Sequence, residues 1–191
     1  MADAADNPIW APFEAFYITS MLALTESALS SAGWMKDILL QIKDGPSLVN
    51  IQSALNHLQN ILLQSGALSR YFWPSRSAHN SRGIQLRKAL QVSDDSPLKS
   101  RTVRDHIEHF DEKLDTYLQT MSAGYVVPYY FGPTPASDCT PRHYFRAYFV
   151  DSGTFEILGN QVVIEPLIVE IMRIHNLLVE FEENGDRLPL E

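Results

Sequence analysis

Apolar positions recur along this chain at three- and four-residue steps in four long stretches, as helices that each bury one stripe require. The first spans about 13–31, with Phe13, Phe16, Tyr17, Met21, Leu24 and Ala28 as its stripe, Pro8 and Pro12 before it and Gly33 at its end. Residues 34–42 read as a further helical piece, stopped by Asp44-Gly45-Pro46. The second stretch, about 47–73, opens on Ser47 as an N-cap and turns Leu48, Ile51, Leu55, Leu58 and Leu62 inward, with Pro74 as its boundary. A loop over 75–81 and a short helix over 84–90 follow. The third, about 97–122, starts with Ser96 as cap and Pro97 at the first helical position. Its seam of Val103, Ile107, Phe110, Leu114, Tyr117 and Met121 alternates steps of four and three. The last, about 165–183, carries Leu167, Ile171, Ile174, Leu178 and Phe181 on one face.

After Gly124 the pattern changes. Residues 125–141 contain Pro128, Pro133, Pro135 and Pro141, which predicts an irregular loop. The aromatic-rich run 142–150, then 154–158 and 161–164, separated by Asp151-Ser152-Gly153 and Gly159-Asn160, reads as a small meander. Four amphipathic helices predict a mainly α fold. The expected form is a four-helix up-and-down bundle, with a small β-hairpin or meander (about 142–164) inserted before the last long helix.

Composition narrows this picture. At 191 residues the chain suits a single domain, 1–191, and the 45% hydrophobic content can fill one core. One cysteine, Cys139, excludes an internal disulfide framework and a zinc site built from several thiolates. Residues 1–8 are small and acidic without a basic stretch, and the longest apolar runs fall short of the roughly 20 residues of a spanning helix. A cytoplasmic protein with no membrane partner is expected. The net charge of −8 argues against a general nucleic-acid-binding surface. Its distribution is uneven, however. Residues 70–104 hold eight of the 15 Lys and Arg and only two acids, Asp94 and Asp95. That strip either receives a phosphate-bearing ligand or forms solvated helix faces.

The chemistry-bearing residues concentrate on the third helix, in Arg104-Asp105-His106-Ile107-Glu108-His109. On a straight helix with Val103 at zero, Arg104 lies near 100° and His109 near −120°, about 140° apart, with a rise of about 7.5 Å. His106 falls beside His109, and Glu108 and Glu112 point away from the core. One straight helix cannot easily bring Arg104 and His109 to a single bond. A composite site needs a second copy of the helix, as at a two-fold interface.

The arrangement of Arg104, the polar Asp105 and His109 resembles the R-x4-6-H signature of HEPN domains. The continuation Glu108-His109-Phe110-Asp111-Glu112-Lys113-Leu114-Asp115 is similar to a stretch found in uncharacterised bacterial proteins. The resemblance covers about a dozen residues and implies a HEPN-like helical bundle, a homodimer, and metal-independent endoribonuclease activity of the toxin–antitoxin, phage-defence or RNA-processing type. It makes Arg104, His109 and Asp105 the catalytic candidates, supported by Glu108 and His106. RNA is then the substrate, a cognate antitoxin or another protein the partner, and no metal or cofactor takes part. The chemistry is coherent. A histidine titrating near neutrality can deprotonate a 2′-hydroxyl, and an arginine fork can hold the attacked phosphate. The competing expectation is a non-catalytic interaction or nucleotide- or RNA-binding domain, in which these side chains form a solvated face of Arg104–Glu108 and Asp105–His109 pairs.

Other constellations are weaker. His106, His109 and Glu112 have helical ligand spacing, but no other helix offers a Glu-x-x-His complement. His57 and His175 are isolated. Cys139 near His143 is a lone loop thiol, and Ser75, Ser77 and His79 form no recognisable triad. The Tyr129-Tyr130-Phe131 and Tyr144-Phe145 clusters are expected to pack the hairpin on the bundle rather than stack bases.

Overall fold

The computed structural model describes residues 9–41, 47–100, 110–121, 123–136 and 140–189. Its elements are α1 (Ala11–Gln41), α2 (Leu48–Phe72), α3 (Asn80–Ala89), α4 (Phe110–Thr120), β1 (Tyr125–Gly132), β2 (Arg142–Phe149), β3 (Thr154–Ile157), β4 (Asn160–Val163) and α5 (Ile164–Glu183). The fold is mainly helical with one small four-stranded sheet.

Helix α1 does not stop at Gly33. The seam continues to Met35 and Ile38, both buried. A mid-helix glycine costs roughly 0.5–1 kcal/mol, less than the ~1.5–3 kcal/mol that burying each such side chain contributes. The buried stripe is also rotated from the expected one. Phe13 and Phe16 are 51% and 75% exposed, while Ile18, Met21, Leu22, Thr25 and Ala28 are buried. The reason is tertiary: α1 is clasped on two sides, and its buried arc is centred between its neighbours. On one side Ser20 meets the Tyr71 hydroxyl, and Asn60 Nδ2 donates to Ser31 Oγ at 2.9 Å. On the other, Thr25 Oγ1 lies 3.0 Å from His175 Nδ1. With Arg187, just past α5, bonded to Glu14 near the start of α1, both α2 and α5 run antiparallel to α1. Leu55, Leu58 and Leu62 of α2 face the core as expected, as do Leu167, Ile171, Ile174, Leu178 and Phe181 of α5.

Ser96 does cap a helical turn, accepting from the Leu98 N–H at 3.4 Å, but that turn is a single 3-10 turn over Pro97–Lys99. Ser100, at ψ 116°, then leaves helical geometry, so no continuous helix runs from 97. A serine cap followed by proline starts either kind of turn. Burial of Leu98 and the Ser96–Glu170 bond at 3.0 Å hold this one against α5. Of the expected seam, Phe110, Leu114 and Tyr117 pack against the core from α4, and Met121 lies just past its end. Val103 and Ile107 lie outside the described residues.

The sheet order is β1-β2-β3-β4. The meander appears within a residue of its expected strands, with antiparallel β2–β3 and β3–β4 pairs. Leu158 and Gly159, both at positive φ, make the two-residue turn between β3 and β4. The segment 125–132, expected as irregular loop, is instead an edge strand paired parallel to β2, with Tyr125 opposite Arg142 and Gly132 opposite Phe149. Proline is tolerated on an edge because it need not donate to a ladder there. Pro128 is the one position of β1 missing from the register with β2. Phe155 and Ile157 seal the helical core from the sheet side, while Tyr144, Ala147 and Phe149 form a smaller cluster with Val127 and Tyr130.

Candidate functional site

Arg104, Asp105, His106, Glu108 and His109 lie outside the described residues, as does Cys139. What the structure defines is the frame on both sides of the motif. On the amino-terminal side, Pro97, Leu98 and Ser100 border a largely apolar cavity of about 350 Å³, closed by Leu62, Val163 and Leu167. On the carboxy-terminal side, Phe110 meets the Phe145 ring edge-on, with centroids 5.6 Å apart. Tyr117 packs on His143 and against Gly159. Burial, with Glu156 as a lesser cause, pushes the Tyr117 phenol above its ordinary value.

The residue that sequence reasoning missed is Arg146. Two consecutive residues of β2, Phe145 and Arg146, both face the helical layer, at the position where the β1–β2 register skips Pro128. Arg146 Nη1 donates to Asn56 Oδ1 at 2.7 Å and to Gln59 Oε1 at 3.0 Å, both on α2. Its guanidinium lies 5.4 Å from the Phe145 ring centroid and 5.8 Å from that of Tyr129. The Nε–H is buried without an acceptor, a situation that costs about 1–3 kcal/mol. Burial lowers the Arg146 pKa. No carboxylate pairs with this cation among the described residues. The available signal was an arginine set inside an aromatic strand, His143-Tyr144-Phe145-Arg146-Ala147-Tyr148-Phe149, where a charge needs a special environment.

Three cations of the basic strip over 70–104, Arg82, Arg87 and Lys99, have structural employment. Arg87 Nη1 donates to the Phe72 carbonyl at 2.6 Å and Arg82 Nη2 to the Arg70 carbonyl at 3.0 Å, both at the carboxy-terminal end of α2. There the last carbonyls lack helical partners and the helix dipole favours cations. Arg82 also lies over Tyr17 and Tyr71, Arg87 over Trp73, and Lys99 pairs with Asp94 at 2.9 Å. Arg101 and Arg104 lie outside the described residues.

The other constellations resolve into packing. His57 stacks on Trp34 and lies 3.4 Å from Ser31 Oγ. Ser77 and His79 sit on one exposed 3-10 turn. Among the described residues no three His, Cys, Asp or Glu side chains converge as a metal site would require, and Glu112 is exposed. Tyr130, Tyr144 and Phe149 pack together, as do Phe131 and Tyr148, leaving Tyr129 and Tyr125 as the exposed aromatics of β1. No described helix is long and apolar enough to cross a membrane. Searches against family models, curated proteins and solved structures returned no match.

Proposed function

We propose that this chain is a HEPN-like helical domain that acts on RNA as a metal-independent endoribonuclease, with Arg104 and His109 completed across a homodimer. In this reading α1, α2, α5 and the segment ending in α4 are the four helices of the bundle. The observation that carries it is the Arg104-Asp105-x-x-Glu108-His109 string, set directly before a helix whose Phe110, Leu114 and Tyr117 pack on the core. His109 removes the 2′-hydroxyl proton, Arg104 holds the phosphate that the resulting oxyanion attacks, and Asp105 with Glu108 and His106 orients them. As the 2′-O–P bond forms, the P–O5′ bond breaks and the departing 5′-oxygen takes a proton from water, leaving a cyclic phosphate and a free 5′-hydroxyl without a metal. A cytoplasmic toxin, defence or RNA-processing role, with a cognate antitoxin or other protein partner, follows from the same resemblance.

The test is incubation of purified wild type and His109→Ala with RNA in EDTA, alongside a measurement of solution mass. Cleavage by a wild-type dimer that is lost in His109→Ala supports the reading. Equal cleavage by both proteins, or none, sinks it. The second reading is a non-catalytic interaction or RNA-binding domain. In it the Arg104–His109 side chains form a solvated face of Arg104–Glu108 and Asp105–His109 pairs.

A further inference from the structure

We infer that Arg146, with Asn56, Gln59 and Tyr129, forms a phosphate-binding subsite for single-stranded RNA on the sheet side of Phe110. This rests on the proposal that the chain engages RNA, but not on its cleaving RNA.

The four side chains meet at one place. Asn56 and Gln59 each turn the amide oxygen to Arg146 Nη1, at 2.7 and 3.0 Å. Their NH2 groups make no bond to other described residues and remain as donors. Arg146 Nη2 likewise has no described partner, and no described carboxylate neutralises the charge. A cation flanked by amides and with no carboxylate among the described residues is complementary to a phosphodiester, which supplies negative charge and accepts several hydrogen bonds at once. The guanidinium lies near both the Phe145 and Tyr129 rings and is tied to α2 through Nη1, so it is preorganised. Tyr129 is 38% exposed and offers a face on which a base can stack.

Placement ties the subsite to the motif. Phe110, the residue after His109, touches Phe145, and Phe145 touches the Arg146 guanidinium. An RNA strand whose phosphate sits on Arg146 therefore passes close to Phe110, the residue that follows the motif in sequence. On a chain of net charge −8, such a local donor cluster directs a polyanion to one place where the general surface repels it.

The experiment is fluorescence anisotropy with a fluorescein-labelled oligouridylate of about 12 nucleotides, in EDTA, on the His109→Ala background so that the probe stays intact. Arg146→Gln is expected to weaken binding about tenfold or more and to lower the log–log salt slope by about one. Asn56→Asp, at an exposed position that tolerates substitution, places a carboxylate against Arg146 and should cause a comparable loss. It keeps the idea testable if Arg146→Gln fails to fold. Tyr129→Ala should weaken binding several-fold, and Arg76→Gln, on an exposed loop, by less than about twofold. Undiminished affinity in folded Arg146→Gln or in Asn56→Asp overturns the subsite, as does wild-type chain that binds no probe. Loss of binding in these variants without His109-dependent cleavage upholds the subsite and defeats only the nuclease reading. Cleavage with undiminished Arg146→Gln binding does the reverse.

Discussion

Phe110 meets Phe145 edge-on at 5.6 Å, and this contact fastens the start of α4 to the middle of the sheet. The residue that follows the Arg104–His109 string is thus anchored on the strand that carries Arg146. Phe110→Ala removes an aromatic pair worth ~0.5–1.5 kcal/mol beyond its area, together with part of a half-buried side chain. Urea unfolding should show a loss of about 1–3 kcal/mol. If RNA cleavage is found, it should fall more steeply than stability, because the motif loses its anchor. Unchanged unfolding would mean that α4 contributes nothing to the cooperative unit.

Glu14 closes the molecule end to end. Its Oε2 accepts from Arg187 Nε at 2.8 Å and from the Leu188 N–H at 2.9 Å, and the carboxylate is buried. Arg187 is half exposed, so solvent screens the ion pair. Arg187→Ala should cost under about 1 kcal/mol. Glu14→Ala leaves the Leu188 N–H without its acceptor and should cost about 1–3 kcal/mol. Equal effects of the two substitutions, measured by thermal or urea unfolding, would assign the stability to the exposed pair instead.

Acid should loosen the frame of the motif through Glu170. This carboxylate accepts from Arg173 Nε and Nη2 at 2.9 and 3.0 Å and from Ser96 Oγ at 3.0 Å. The bond to Arg173, and then that to Ser96, hold its pKa below the ordinary glutamate value of 4.5. A carboxylate depressed in the folded state stabilises that state above the unfolded value, and the contribution is lost as pH falls from about 4.5 through the folded pKa. Glu170→Gln should therefore cost up to about 1 kcal/mol near neutrality, given the partly exposed Arg173, and the difference from wild type should shrink below about pH 4. Urea titrations of both proteins across that range check the sign. A gap that widens in acid would contradict it.

Gly83 sets the distance between α3 and the end of α2. An added Cβ would lie 2.6 Å from the Phe72 carbonyl oxygen and 2.8 Å from Pro74 Cδ, and the first of these is backbone. Gly83→Ala must push α3 away and lengthen the bond from Arg87 to the same carbonyl. Overpacking of this kind costs about 1–3 kcal/mol, which outweighs the ~1 kcal/mol that alanine gains over glycine in a helix. A stabilised variant in thermal unfolding would show that this junction yields freely.

Local pattern alone determined much of this protein. The seams of α2 and α5 were legible because each helix buries one side, so period and burial coincide. The Phe110, Leu114 and Tyr117 part of the third seam was legible for the same reason, and the strands after residue 142 from an aromatic-rich run and two short runs set between turn residues. Tertiary structure decided the rest. Helix α1 lies between two neighbours, so its buried arc left Phe13 and Phe16 in solvent and carried the helix through Gly33. The proline-bearing segment 125–132 is a strand because β2 offers it an edge, a partner that no local window contains. Arg82 and Arg87 of the basic strip became donors to the free carbonyls of α2 once α3 folded back on that helix end. Arg146 acquired its meaning only when α2 brought Asn56 and Gln59 to it across the layers. Sequence supplies the motif of Arg104 and His109 as a chemical possibility, whereas the place of the neighbouring cation depends on contacts between residues nearly half the chain apart.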